Sequence, residues 1–142
     1  MKILYAAGEA APFIKVGGLG DVAGALPQAL RALGYDIRVV IPMYSAIGAM
    51  RDKCTYITHF YINNSWRKQY CGIFEYKTQE LTYYLIDNEF YFNRPNVYGE
   101  FDDGERVAFF SRAVLEILPV IDFFPDILHC NDWHTAIIPV LL

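Results

Sequence analysis

The sequence predicts an α/β domain whose core is a parallel β-sheet with an antiparallel hairpin or meander inserted into it. Two short apolar runs, residues 3–7 and 36–41, enclose a segment of helical periodicity, which is the pattern of a βαβ unit. Three β-rich segments follow between residues 55 and 86. A further apolar run at residues 125–130 indicates a return to the parallel sheet.

The first part of the chain forms the predicted βαβ unit. Residues 3–7 are apolar throughout, as expected of a strand that is buried on both faces. Residues 8–18 form a loop that contains adjacent glycines, and apolar side chains then recur at helical spacing over residues 19–33. Gly34 is a typical helix stop signal, and residues 36–41 form the second strand.

The middle of the chain changes character. Residues 55–62, 70–76 and 81–86 are rich in β-branched and aromatic side chains and are separated by short polar segments. Strands joined in this way usually pair antiparallel, so we expect an insertion into the parallel sheet. Residues 89–99 are aromatic and rich in turn-forming residues.

The last part of the chain returns to the α/β pattern. Residues 104–118 place their apolar side chains on one helical face, and residues 125–130 form another buried strand. Residues 135–142 form the beginning of a further helix. Because the sequence stops there without a polar tail, we expect a truncated chain.

Composition narrows the class of protein. The 142 residues suffice for one domain, and 54% hydrophobic with 20% charged residues is a normal globular balance. A net charge of −4 argues against nucleic acid as a partner, because phosphate binding favours a basic face. The three cysteines do not form a disulfide framework, and neither a signal peptide nor a membrane-spanning run is present. We therefore expect a soluble cytoplasmic protein that binds no membrane.

The segment KVGGLGDV, residues 15–22, is the most informative in the sequence. Adjacent glycines allow close approach of a ligand to the backbone, and the following helix adds its positive N-terminal end. Lys15 supplies a full charge, so an anion site is chemically sensible. A loop that merely connects strand and helix remains the alternative. The Walker loop and the dinucleotide fingerprint both fit this spacing poorly.

The same segment resembles the Lys-x-Gly-Gly-Leu-x-Asp-Val signature of bacterial glycogen synthases and plant starch synthases. Further segments resemble the same family in the same order, so the resemblance covers nearly the whole chain. These segments are residues 9–13, 24–27, 38–42, 84–87, 92–95 and 129–134, the last of which matches His-x-x-Asp-Trp-His.

The resemblance implies a GT-B architecture, in which two Rossmann-like domains face each other across a cleft. Residues 1–142 would be the N-terminal, acceptor-side domain, and the second nucleotide-binding domain would be absent. Family members transfer glucose from ADP-glucose, or UDP-glucose in some cases, to the non-reducing end of an α-1,4-glucan such as glycogen, with retention. They use no metal and no other cofactor. The chain alone is then expected to be inactive without its C-terminal partner domain.

The resemblance also assigns residues on the donor side. Lys15 matches the lysine that contacts the nucleotide-sugar phosphates, and Gly18 matches the backbone position beside them. Asp21 matches a residue associated with sugar-nucleotide binding. An aspartate in a first helical turn also interacts favourably with the helix dipole, and both roles remain open.

Asp132 and His134 match the catalytic-site residues that contact the transferred sugar. Asp132 follows a predicted strand, where ligands of open α/β sheets bind. The alternative is that Asn131 or Asp132 simply caps the next helix. The family's departing phosphate is thought to assist front-face attack, so Asp132 is not assigned as a nucleophile. Trp133 is expected to pack.

Three residues match positions that contact the glucan acceptor, namely Glu9, Phe92 and Arg94. Tyr91 and Tyr98 are further candidates for stacking on sugar, with burial as the alternative. We expect no metal, because the spacing of the histidines and cysteines matches no common zinc pattern. Two other functions stay open from the residues alone: a glucan-binding module without catalysis, and a dinucleotide-binding domain.

Overall fold

A computed structural model describes residues 1–142 and shows a six-stranded sheet. In chain order the strands are β1 Lys2–Ala7, β2 Asp36–Pro42, β3 Thr55–Asn64, β4 Arg67–Lys77, β5 Thr82–Asp87 and β6 Ile127–Asn131. Their order across the sheet is β3-β4-β5-β2-β1-β6. The strands β5, β2, β1 and β6 pair in parallel, whereas β3 and β4 pair antiparallel with each other and β4 pairs antiparallel with β5. The predicted α/β fold, a parallel core with an inserted antiparallel meander, is confirmed.

The first βαβ unit forms as predicted. After Lys2, every residue of β1 is buried, because β2 and β6 flank the strand and its side chains on both faces of the sheet lie in the hydrophobic core. Helix α1, Gly18–Ala32, follows and continues without a break through the buried Pro27. The helix stops before Gly34, whose φ of 90° is favoured by glycine.

The inserted strands begin after a segment that the sequence did not predict. Residues Ser45–Lys53 form an irregular 3₁₀ segment interrupted at Gly48, where φ is 56°. Strands β3 and β4 then form a long hairpin, and β5 returns to pair in parallel with β2. The four-residue helix α2, Glu89–Phe92, is capped by Asn88, whose side chain accepts a hydrogen bond from the N–H of Tyr91.

Helix α3, Asp103–Glu116, packs against β3. It confirms the helix predicted over residues 104–118, although it ends two residues earlier. A buried network joins the two elements. The Tyr91 hydroxyl donates to Glu105 at 2.6 Å and accepts from the side-chain amide of Asn64 at 3.0 Å. Burial, with help from Glu105, raises the pKa of Tyr91 to about 12. Tyr91 is therefore a core residue and not a surface for stacking on sugar.

The predicted final helix is divided. A 3₁₀ turn, Trp133–Thr135, follows β6 almost directly, and helix α4 spans only Ile138–Leu141.

One hydrophobic core occupies both faces of the sheet. None of the helices is long and apolar enough to cross a membrane.

Candidate functional site

The predicted site residues of the glycine loop and of the 129–134 motif lie at one edge of the sheet. Strand β1 ends at Ala7 and β6 ends at Asn131, and these two residues pair in parallel register. The segments that follow them, one leading to Glu9 and the other to His134, therefore leave the sheet side by side. This is the carboxyl edge, where open α/β sheets bind their ligands.

Glu9 holds the glycine loop from inside the protein. Its side chain is 1% exposed, and its carboxylate accepts hydrogen bonds from three backbone N–H groups. Val16 donates to Oε2 at 2.5 Å, and Gly17 and Gly20 donate to Oε1 at 3.3 and 3.0 Å. A buried carboxylate with several N–H donors is a strong local constraint. Glu9 thus fixes the loop, a role that the sequence did not indicate.

Two glycines of α1 allow the loop to lie against the helix. A Cβ atom on Gly20 would stand 3.0 Å from the Cα of Lys15, and one on Gly24 would stand 3.1 Å from the Cβ of Ala11. These glycines lie one turn apart on the same helical face. The segment between residues 11 and 15 therefore packs closely on the helix.

The other two loop glycines leave open space. A Cβ atom on Gly17 or Gly18 would meet nothing within 4 Å, and the φ of Gly17, −148°, is extended. Neither packing nor conformation within the chain requires glycine at these positions. The N–H groups of Gly18 and Leu19 point from the first helical turn and have no acceptor in the protein. This surface suits close approach of an anion.

Lys15 and Asp21 stand beside this open surface and pair with each other. Their Nζ and Oδ2 atoms are 2.9 Å apart, and both side chains are more than half exposed. An exposed pair of this kind is worth little, so Lys15 can exchange Asp21 for a ligand at small cost. The structure thus brings Lys15, Gly18 and Asp21 together.

Asp132 occupies the end of β6 in a strained conformation. Its φ is 66°, which is uncommon for a residue other than glycine, and its side chain accepts a hydrogen bond from the N–H of Trp133 at 2.6 Å. Asp132 therefore caps the 3₁₀ turn Trp133–Thr135, which is the structural alternative to a sugar-contacting role. The carboxylate is also exposed at the same edge as the glycine loop, so sugar contact stays a prediction.

His134 is buried rather than presented to solvent. It is 4% exposed, its ring lies 3.9 Å from that of Trp133, and neither ring nitrogen has a hydrogen-bond partner. The cavity beside it has a volume of about 20 Å³, far below the size of an ordinary ligand pocket. In this geometry His134 packs the site, and its predicted contact with sugar would require movement.

The burial of His134 predicts a loss of stability in mild acid. Burial lowers its pKa, and the carboxylates of Asp132, Glu9 and Asp103 only partly oppose this shift. The unfolded chain takes up the proton near pH about 6.5, whereas the folded protein does so only at lower pH. The melting temperature should therefore fall as the pH drops below about 6.5. Thermal melts at pH 7.5 and 5.5 should show a smaller fall for His134→Asn than for the parent, and an equal fall would contradict this.

Tyr98 contacts both Glu9, which holds the glycine loop, and the aromatic rings that follow β6. Burial and a hydrogen bond to Glu9 raise the pKa of its hydroxyl, and its ring packs against His134 at 4.9 Å and Trp133 at 5.9 Å. Tyr44 donates to the carbonyl of Gly8 at 2.9 Å. Neither contact could be read from the sequence, because nothing local marks a tyrosine that reaches a distant carboxylate or carbonyl.

Two residues predicted on the acceptor side belong to the scaffold. Phe92 is 2% exposed and packs edge-on against Tyr44 at 5.5 Å, so its ring is not available to a glucan in this conformation. Arg94 forms two hydrogen bonds with Asp102, at 3.0 and 2.7 Å. This pairing raises the pKa of Arg94 and lowers that of Asp102. The family resemblance placed both residues on the acceptor side, but it indicated neither the burial of Phe92 nor the pairing of Arg94 with Asp102.

Metal ligands are not grouped in this structure. No cluster of three or more His, Cys, Asp or Glu side chains is placed to hold an ion. The exposed charged side chains among the predicted site residues of the loop and the 129–134 motif are Lys15, Asp21 and Asp132.

Comparison with known proteins shows the family to which the chain belongs. The family described as the starch synthase catalytic domain matches residues 2–142. The chain belongs to this family. It is 57% identical over 142 residues to a glycogen synthase of Clostridium perfringens and 52% identical over 143 aligned positions to one of Anoxybacillus flavithermus.

A solved structure of the same family shares the fold. The catalytic domain of starch synthase IV from Arabidopsis thaliana, bound to ADP and acarbose, matches 96% of this chain with a TM-score of 0.85 and 33% sequence identity. The chain corresponds to 29% of that structure and to 30% of the length of the two glycogen synthases. It thus contains part of the family's catalytic region.

Proposed function

We propose that this chain is the acceptor-side domain of a cytoplasmic glycogen or starch synthase. The enzyme transfers glucose from ADP-glucose to the non-reducing end of an α-1,4-glucan with retention of configuration. The observation that carries the proposal is the glycine loop, which Glu9 fixes from inside while Lys15 and Gly18 face open space. The 57% identity to a glycogen synthase over 99% of the chain supports the same function.

The loop supplies positive charge where the reaction develops negative charge. When the glycosidic bond of ADP-glucose breaks, the electron pair remains on the diphosphate of the leaving ADP. The ammonium of Lys15, the N–H groups of Gly18 and Leu19, and the positive end of α1 stabilise that charge. Lys15 exchanges its exposed partner Asp21 for phosphate. No metal ion is needed for this step, and activity in the presence of EDTA tests that expectation.

The second half of the site comes from another domain. A GT-B enzyme closes two domains over its substrates, and closure of this kind completes a catalytic site. Asp132 lies exposed directly after β6, at the same carboxyl edge as the loop, and we assign it to contact the transferred sugar. The match to 30% of the length of the glycogen synthase relatives supports this division.

The decisive experiment measures glucose transfer from ADP-glucose to maltooligosaccharides. The chain alone should be inactive, whereas the complete protein that contains it should be active. Rapid transfer by residues 1–142 alone would refute the division between two domains. Binding of glucan without any transfer by the complete protein would favour a glucan-binding module instead.

Lys15→Ala tests the phosphate role within the complete protein. We expect kcat/KM for ADP-glucose to fall about 100-fold, as for loss of one charge-stabilising group in other enzymes. Lys77→Ala is the matched control, since Lys77 is similarly exposed and pairs with Glu75, on β4 and not in the segment of residues 15–22. Initial rates at varied ADP-glucose concentration provide the measurement. Equal rates for the two variants would contradict the assignment.

A further inference from the structure

The segment that precedes helix α3 carries Tyr98, which contacts both parts of the candidate site. No helix or strand forms between residues 93 and 102. The Tyr98 ring packs against His134 and Trp133, with centroids 4.9 and 5.9 Å apart, and its hydroxyl donates a hydrogen bond to Glu9. The position of Tyr98 therefore depends on what holds this irregular segment in place.

Asp103, the first residue of α3, fastens the segment to the helix. Its Oδ2 atom accepts a hydrogen bond from the N–H of Gly99 at 2.6 Å, and its Oδ1 atom accepts from the N–H of Glu100 at 3.2 Å. Each oxygen thus binds one of the two residues that directly follow Tyr98. Because hydrogen bonds to an ionised carboxylate are stronger than those between neutral groups, Asp103 fixes the backbone beside the tyrosine.

Gly99 meets a conformational need within this segment. Its φ of 91° lies in the region that favours glycine, and a Cβ atom there would meet nothing within 4 Å. Conformation and not packing therefore favours glycine at this position. A side chain at Gly99 would strain the backbone between Tyr98 and Asp103 without overlapping any other part of the protein.

Arg106 holds the Asp103 carboxylate from the protein interior. Its side chain is only 5% exposed, and its Nη1 atom donates to Oδ1 of Asp103 at 2.7 Å. Its Nε atom donates to the carbonyl of Tyr91, a core residue, at 2.7 Å. Separating this pair would leave a buried guanidinium without its counter-charge, which is costly. Asp103 is therefore tied to the core on one side while it holds the irregular segment on the other.

We propose that Asp103 is a positioning residue for the donor side of the site. It holds the backbone next to Tyr98, Tyr98 bonds to Glu9, and Glu9 accepts from the N–H groups of the glycine loop. Asp103 thereby restrains the loop although it forms no hydrogen bond or ion pair with it. The effect of this restraint on glucose transfer rests on the proposed function.

The alternative is that Asp103 only stabilises the start of α3, as acidic residues in a first helical turn do. Its hydrogen bonds favour the positioning role. The two backbone donors, Gly99 and Glu100, precede the helix, and Asp103 accepts from no N–H group of the first turn itself. A purely helical role would leave the glycine loop unchanged when the carboxylate is altered.

Hydrogen–deuterium exchange in the complete protein measures the restraint without requiring activity. Asp103→Asn keeps the side-chain shape but places an NH₂ group against one of the two backbone donors. Exchange of the Glu9-bonded N–H groups in residues 16–20 should accelerate about tenfold, whereas residues 36–42 of β2 should exchange as in the parent. Asp126→Asn is the matched control and should leave the loop unchanged. The Asp126 carboxylate also accepts from a backbone N–H, that of Lys2 at 2.7 Å, at the opposite end of β1.

A double-mutant cycle determines whether the effect passes through Tyr98. Tyr98→Phe removes the hydroxyl that bonds to Glu9 and should accelerate exchange in the loop by a similar factor. In that background Asp103→Asn should add little, because the two residues act in series. In transfer assays, kcat/KM for ADP-glucose should fall about tenfold in each single variant and no further in the double variant.

Gly99→Ala provides a second variant that leaves every carboxylate in place. It should accelerate exchange in the loop through backbone strain alone. Unchanged loop exchange in both Asp103→Asn and Gly99→Ala would remove the positioning role. Faster exchange throughout the protein, with β2 included, would reduce Asp103 to a residue that stabilises the fold. Additive effects in the cycle would refute the route through Tyr98. If the parent transfers no glucose but the loop responds as described, the positioning role stands and the proposed function fails.

Discussion

Gly8→Ala should lower the free energy of unfolding by about 3 kcal/mol, at the upper end of what overpacking normally costs. A Cβ atom on Gly8 would overlap the ring of His134, whose nearest atoms would stand 2.3 to 2.6 Å away. The backbone cannot easily move aside. Ala7 is held in β1 next to β6, and the Gly8 carbonyl accepts a hydrogen bond from Tyr44. Urea denaturation of parent and variant measures the loss.

The cause of that loss can be isolated with a double mutant. His134→Ala removes the ring that the new methyl group would meet, so Gly8→Ala should cost little in that background. Gly104→Ala is the matched control, because a Cβ atom there meets nothing within 4 Å and the position is helical. That variant should be neutral or slightly stabilised. An equal penalty for Gly8→Ala with and without His134 would contradict the packing explanation.

The strands and main helices were predictable because each carries a periodic signal along the chain. The buried strand over residues 3–7 and the amphipathic helix over residues 104–118 are examples, and both lie where they were predicted. The 3₁₀ segment Ser45–Lys53 was not predictable, since it has no clear period and is interrupted at Gly48. A regular helix or strand with one buried face repeats its apolar residues at a fixed spacing, whereas an irregular segment has no such repeat.

The site was predictable only as a set of neighbouring segments. The position of Asp132 after a strand located it at the carboxyl edge, and the glycines of the loop indicated a close approach. The burial of Phe92 and the pairing of Arg94 with Asp102 depend on how distant elements pack, which spacing does not encode. The same limit applies to Glu9, for which the resemblance implied a glucan contact whereas the structure shows three bonds to loop N–H groups.

Glu9→Gln should therefore damage the glycine loop and, through it, the binding of ADP-glucose. The two carboxylate oxygens accept from Val16 on one side and from Gly17 and Gly20 on the other. An amide has a single oxygen, so either orientation places its NH₂ group against a backbone donor. Leaving a buried donor without its partner costs about 1–3 kcal/mol. We expect kcat/KM for ADP-glucose to fall about 100-fold, equivalent to about 2.7 kcal/mol.

The comparison of two KM values distinguishes loop positioning from direct contact with glucan. If Glu9 acts through the loop, KM for ADP-glucose rises in Glu9→Gln while KM for maltooligosaccharide remains that of the parent. A rise in KM for the glucan with unchanged KM for ADP-glucose would instead assign Glu9 to the acceptor, as the family resemblance implies. Initial-rate measurements with each substrate varied in turn, on the complete protein, separate these results.

Glu89→Gln is the matched control for this substitution, because Glu89 is exposed at the start of α2 and holds no loop. It should leave both KM values unchanged. Glu9→Asp keeps the negative charge but shortens the side chain by one methylene group. Its affinity for ADP-glucose should therefore lie between that of Glu9→Gln and that of the parent. Since Gly18 and Leu19 offer their N–H groups only while the loop keeps its shape, we expect the carboxylate of Glu9 to preform the proposed phosphate site before substrate arrives.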